Sequence, residues 1–204
     1  KEDEMISLMR YLLSEYQNID YIKDDFIKLD TSIYLADIVV ASYSLNELNK
    51  EQLFSCLDNM INMTNNYLLI VEPATKKDFE RMKQIREYFI SKGLYVVAPC
   101  LHNLNCPSSW CHFSTRINRS KIHRLVKEGS SPFEDEKFTY LCISKKIIEN
   151  KSEQYRVLRH PLIHKGYIEL EGCNSLGEIK QIKLSKKDKE KYKLAKKVNV
   201  GDLF

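Results

Sequence analysis

Three short apolar runs, at 36–41, 67–71 and 94–98, alternate with two stretches of helical period over about 49–63 and 76–91. No other feature constrains the fold as much. Strands separated by helices of this length build βαβ units, because a parallel neighbour is reached only through a long crossover. The expected class is α/β with a mostly parallel sheet. Ligands of such sheets sit beyond the carboxyl ends of the strands, which here are Ser42–Glu47, Glu72–Thr75 and Pro99-Cys100. The runs 36–41 and 67–71 have the length of buried strands. Met5, Leu8, Met9, Leu12 and Leu13 predict a preceding amphipathic helix over about 2–17. Gly93 reads as a helix C-cap.

The alternation stops at Cys100. Three of the six cysteines, Cys100, Cys106 and Cys111, fall within twelve residues, in a loop that also holds His102, Pro107, Trp110 and His112. Cys56 and Cys142 lie in apolar elements, where a free cysteine packs as a small hydrophobe. Disulfides suit a secreted chain, whereas this lysine-rich α/β pattern carries no secretory signal. Zinc takes four tetrahedral ligands and favours shorter paired spacings. An iron–sulfur cluster takes four thiolates with looser spacing, three in a loop and one distant. Cys173, in the turn-prone Gly172-Cys173-Asn174, is a better distant ligand than Cys142. Reduced thiols packing a compact loop, and His112 as a rival ligand, remain open at this point.

Beyond the loop, a helix is expected over about 114–127, a strand over 138–145, and two or three short strands within 155–184. The boundary is drawn at 99/100, giving a first domain of 1–99 and a lobe of 100–204, with 138–145 as a candidate to complete the first sheet. At 43% hydrophobic residues the chain can build a real core. No window approaches the ~20 apolar residues of a membrane span, so a soluble protein without a membrane partner is expected.

The net charge of +4 is placed unevenly, with the first 99 residues near neutral or slightly acidic and the surplus lysine late, ending in Lys183–Lys197. A basic lobe points to a polyanion, nucleic acid first. On the expected helix, Arg116, Arg119 and His123 share a face that Lys127 extends, with Lys121 and Arg124 beside it. Arg156, Arg159, His160, His164 and Lys165 form a second set. Arginine suits phosphate because its planar fork binds two oxygens at once. Tyr155, Tyr167 and Tyr192 lie among these charges as candidates for stacking on bases, core packing being the alternative.

Several strings occur in an order that resembles one family. They are Ala41-Ser42-Tyr43-Ser44-Leu45-Asn46-Glu47-Leu48, Val71-Glu72-Pro73-Ala74-Thr75, Ala98-Pro99-Cys100, Cys106-Pro107, Trp110-Cys111-His112-Phe113-Ser114 and Glu134-Asp135-Glu136-Lys137-Phe138. Together they resemble the methyltransferase-like family of the mitochondrial small ribosomal subunit, which also has bacterial relatives. The resemblance runs from about Met5 to Gly201-Asp202. It implies a class I methyltransferase-like (Rossmann-like) fold followed by a cluster-bearing lobe. It also implies a mitochondrial location, binding to small-subunit rRNA, and small-subunit ribosomal proteins as neighbours. The family's four cysteine ligands fall on Cys100, Cys106, Cys111 and Cys173, for a [4Fe–4S] cluster, with zinc as the alternative.

The chain departs from the family twice. Ala74 stands where relatives tend to have glycine. The first glycine of all is Gly93, whereas a class I methyltransferase holds S-adenosylmethionine on a glycine-rich turn after its first strand. The helix near Glu2 would follow the second strand of such a fold, so an N-terminal portion of the same protein is expected elsewhere. Asn46 and Glu47 occupy positions near the transferred methyl group in related enzymes, and a helix cap is the plainer role for Asn46. The expectation is a scaffold without methyl transfer.

Overall fold

The computed structural model describes residues 2–148 and 153–204. After α1 (Glu2–Leu12), the chain forms β1 (Ala36–Ser42), α2 (Lys50–Met63), β2 (Thr64–Pro73), α3 (Lys76–Ser91) and β3 (Tyr95–Ala98). Capping fixes these boundaries. The Asn49 side chain accepts from the Gln52 N–H while the Gln52 side chain accepts from Asn49, which closes a capping box on α2. Asn46 is therefore not the cap of this helix. Thr75 caps α3 by accepting from the Asp78 N–H. At the other end of α3, Gly93 takes φ +81°, and the Leu94 and Gly93 N–H groups return to the carbonyls of Phe89 and Ile90, a Schellman turn.

The strand β5 (Phe133–Ser144) inserts between β2 and β3, giving the order β1-β2-β5-β3. β1 pairs with β2 in parallel, and β5 is antiparallel to both its neighbours, so β1, β2 and β3 share one direction. One face of this sheet buries Leu68, Ile70, Leu141, Ile143 and Val96 against Leu57 and Met60 of α2 and Ile85 and Phe89 of α3. The α/β class is as expected, but among the described residues only the β1–β2 pairing of this sheet is parallel, because β5 runs antiparallel between β2 and β3, so the sheet is mixed rather than mostly parallel.

β1 is less buried than its composition predicts. Val39 and Ala41 turn towards the core, but Ile38 and Val40 on the other face are 58% and 56% exposed. The outer edge of β1 has no partner strand among the described residues. Met5, Leu8 and Leu12 of α1 are exposed as well. No helix among the described residues is long and apolar enough to cross a membrane.

The helix expected over 114–127 is mostly not helical. Residues Phe113–Asn118 form β4, which pairs with the first half of β5, and only Lys121–Val126 form a helix, α4. The β-branched Thr115 and Ile117 favour the strand, and Ser120 caps the short helix by accepting from the His123 N–H. Arg116 and Arg119 thus leave the expected helical face.

The remaining strands, β6 (Tyr155–Val157), β7 (Leu162–Ile163), β8 (Tyr167–Asn174) and β9 (Ile179–Ser185), form a second, antiparallel sheet around β8. The helix α5 (Lys189–Ala195) lays Tyr192 and Ala195 against Ile168, Leu170 and Leu184. Tyr192 is core, so it is not a base-stacking residue. β5 completes the first sheet, the role for which the sequence makes 138–145 a candidate, and the second sheet begins at β6.

Candidate metal centre

The carboxyl ends of β1, β2 and β3 lie along one edge of the first sheet, and the cysteine loop leaves β3 there. Side chains from outside pin this loop. Arg156 of β6 donates to the Pro99 carbonyl at 2.8 Å, and Arg159 donates to the Trp110 carbonyl at 3.0 Å. Arg86 of α3 donates to the His102 carbonyl at 2.7 Å. Gly177, in the turn after β8, leaves so little room that a Cβ there would lie 3.3 Å from the His102 ring. Within the loop, the Trp110 indole N–H reaches back to the Ala74 carbonyl at 2.9 Å, and the indole stacks on His112 with centroids 4.1 Å apart.

Cys100, Cys106, Cys111 and Cys173 line one cavity of ≈ 40 Å³, more than the ~10–15 Å³ that one water needs. The first three come from the loop. Cys173 comes from β8, where it lies opposite Arg156 of β6. None of the six cysteines is in a disulfide. Burial raises the Cys111 thiol far above its ordinary range, and Cys100, Cys106 and Cys173 raise it further while Arg159 opposes them. Cys173 is pushed up to about 11, by burial and then by Cys100 and Cys106, against Arg86. Burial also raises Cys100, with Arg86 and Arg156 pulling the other way. Burial thus favours the protonated form of Cys100, Cys111 and Cys173 where no cation is bound.

The donor set is all sulfur and lies in a partly buried cavity, with a ring of arginines able to offset thiolate charge, which fits a thiolate-bound cluster. Among the described residues, no three His, Cys, Asp or Glu side chains gather closely enough to hold a metal ion between them. His112 turns its ring onto Trp110, and its buried Nδ1 has no hydrogen-bond partner.

The basic residues fall into two groups. Arg116 pairs with Asp135 at 2.8 Å, Arg119 pairs with Glu134, and Lys127 also meets Glu134 at 3.1 Å. Their charge is largely neutralised inside the β4–β5 hairpin. Arg156 and Arg159 serve the cysteine loop rather than an outer face, because the carbonyls of Pro99, Gly201 and Trp110 occupy their guanidinium groups. Lys121 and Arg124 of α4 form no ion pair among the described residues. Lys186, Lys187, Lys191 and Lys197 are exposed around α5.

At the β1 end, the buried Glu72 carboxylate accepts from the Ser44 and Leu45 N–H groups at 3.2 and 3.0 Å, fixing the turn that carries Asn46 and Glu47. Glu47 is exposed, and Asn46 Oδ1 is buried without a partner. The first glycine among residues 1–204 is Gly93.

Sequence reasoning missed Arg86 and undervalued His102, both at most 3% exposed beside the cavity. The signal for Arg86 was an arginine seven residues after Phe79, on the apolar face of α3 with Met82 and Phe89.

No curated protein matches the chain. Among solved structures, the crystal structure of a candidate RNA methyltransferase from Pyrococcus horikoshii is similar at 12% identity and a TM-score of 0.43, too slight a likeness to argue from. The match covers 72% of this chain and 58% of that one, so the chain spans less than two thirds of its length. The family model described as mitochondrial small ribosomal subunit Rsm22 matches residues 1–204. The chain therefore belongs to the Rsm22 family of the mitochondrial small ribosomal subunit.

Proposed function

We propose that this chain binds small-subunit rRNA in the mitochondrial ribosome or during its assembly, as a methyltransferase-like scaffold stapled by an iron–sulfur cluster and without methyl transfer of its own. The observation that carries this reading is that three thiols of the loop after β3 and one from β8 of the second sheet line one cavity. Tetrahedral zinc, with bonds of about 2.3 Å, would draw its sulfurs to within about 4 Å of one another. In a cluster each thiolate binds its own iron, so four thiols spread around a cavity favour the cluster over zinc. Cys100, Cys106, Cys111 and Cys173 would hold it, and it would supply a cross-link between the sheets, adding binding free energy to folding.

The exposed Lys121 and half-buried Arg124 of α4, with the exposed lysines around α5, support an RNA partner. The open face of β1 and the exposed apolar side of α1 favour a further part of the same protein as their cover, since a parallel sheet is ordinarily covered on both faces.

The test is an anaerobic absorption spectrum with iron, sulfide and zinc analysis on the wild type and Cys106→Ser. A broad visible band with stoichiometric iron and sulfide, lost in the variant, is expected. Zinc alone in a colourless protein overturns the cluster while leaving the scaffold. Micromolar binding of S-adenosylmethionine by calorimetry would count against the non-catalytic reading.

A further inference from the structure

Arg86 is 3% exposed, its Nε has no hydrogen-bond partner, and no carboxylate forms an ion pair with it among the described residues. A buried cation without an anion is costly, and the side chain faces the thiol cavity. One guanidinium nitrogen donates to the His102 carbonyl at 2.7 Å and lies 3.4 Å from His102 Nδ1. The far side of that ring, Nε2, lies 3.6 Å from Cys173 Sγ. The His102 ring therefore lies between the Arg86 guanidinium and the Cys173 sulfur. Arg86 lines the cavity together with all four thiols. One buried charge thus borders the whole thiol set, with the His102 imidazole between it and Cys173.

We propose that Arg86 is the counter-charge of the thiolate set and, with His102, biases the bound cluster towards its more negative, reduced state. The inference rests on the cluster reading above. Thiolates and cluster together carry net negative charge, and one electron from an external one-electron reductant deepens it, with no bond made or broken and the guanidinium proton retained. Hydrogen bonds to sulfur and nearby positive charge both favour the added electron. Arg86 is a positioning residue, because it holds the His102 carbonyl of the loop and borders the cavity rather than binding iron.

The experiment is a mediated redox titration, followed by visible absorption and electron paramagnetic resonance, of the wild type, Arg86→Gln, Arg86→Met and Arg86→Lys. Expected is a fall of about 59 mV in Arg86→Gln and Arg86→Met, a tenfold loss in the reduced-to-oxidised ratio, with Arg86→Lys near the wild type. Equal potentials in all four proteins overturn the inference and leave the cluster intact. If the uncharged variants take up no iron, loading of Arg86→Lys supports the role of charge, and its failure to load overturns it in favour of packing alone. A wild type without iron and sulfide removes the cluster reading itself, a result distinct from the others.

Discussion

Arg156 and Cys173 face each other across the β6–β8 ladder, yet the arginine reaches past its neighbour to the Pro99 carbonyl, next to Cys100. A second nitrogen of the same guanidinium holds the Gly201 carbonyl at 2.6 Å. One side chain thus connects the sheet that carries one thiol, the loop that carries the other three, and the end of the chain.

Removing that link is expected to be costly. A hydrogen bond to a charged group contributes about 1.5–3 kcal/mol, so Arg156→Ala should destabilise the protein by a few such units, less any replacement by water. Chemical denaturation measures the loss, and iron content should fall with it, because the Cys100 loop loses its anchor.

Gly172 tests how finely Cys173 is placed. A Cβ at this position would lie 2.8 Å from the Tyr155 Cβ, closer than two such carbons approach without backbone movement. Gly172→Ala is expected to destabilise by about 1–3 kcal/mol, the usual cost of overpacking. Tyr155→Gly, which removes that Cβ, should restore part of the iron uptake; failure of that rescue would place the fault elsewhere.

The β4–β5 hairpin should loosen in acid. Hydrogen bonds from Arg119 and then Lys127 hold Glu134 down to about 2, from an ordinary 4.5. A carboxyl lowered on folding contributes stability that is full above 4.5 and is lost as pH falls towards 2. Amide exchange across residues 113–138 should therefore speed up over that window in the wild type. In Glu134→Gln this contribution is absent and the change over the window should shrink, leaving the part that Asp135, lowered by Arg116, supplies.

Two basic sets should behave differently towards rRNA. Neutralising Lys121 and Arg124 to Gln is expected to weaken binding and to lower the salt slope by about 1 for each phosphate that is no longer bound. Arg116→Gln should change it less, because Asp135 already pairs with that guanidinium. Filter binding across a salt series checks both, and equal effects would show that the hairpin ion pairs open on RNA.

The elements legible in sequence were those whose local signals agree. The helix α3 spans 76–91 as its periodicity predicts, with Thr75 and Gly93 as its punctuation. The four-cysteine set was legible because cysteines in a loop need a reason, and the structure brings those four to one cavity. Residues 113–118 misled because Arg116 and Arg119 are spaced as on a helix, whereas pairing with β5, fifteen to twenty-five residues away, decides the outcome. Arg156 and Arg159 misled for a related reason. Charge in a sequence suggests surface, and only the tertiary fold reveals that backbone carbonyls had claimed these side chains. Ile38 and Val40 read as core from composition alone, which carries no information about what lies across the strand.

The thiol cavity draws its wall from two sheets that have separate hydrophobic cores. Neither sheet can assemble it alone, and during synthesis Cys173 follows Cys111 by sixty-two positions. The site comes into existence only when β8 has formed, with β9 and α5 behind it, and has docked on the loop. Its completion thus acts as a molecular receipt, issued once both halves of the fold are in place.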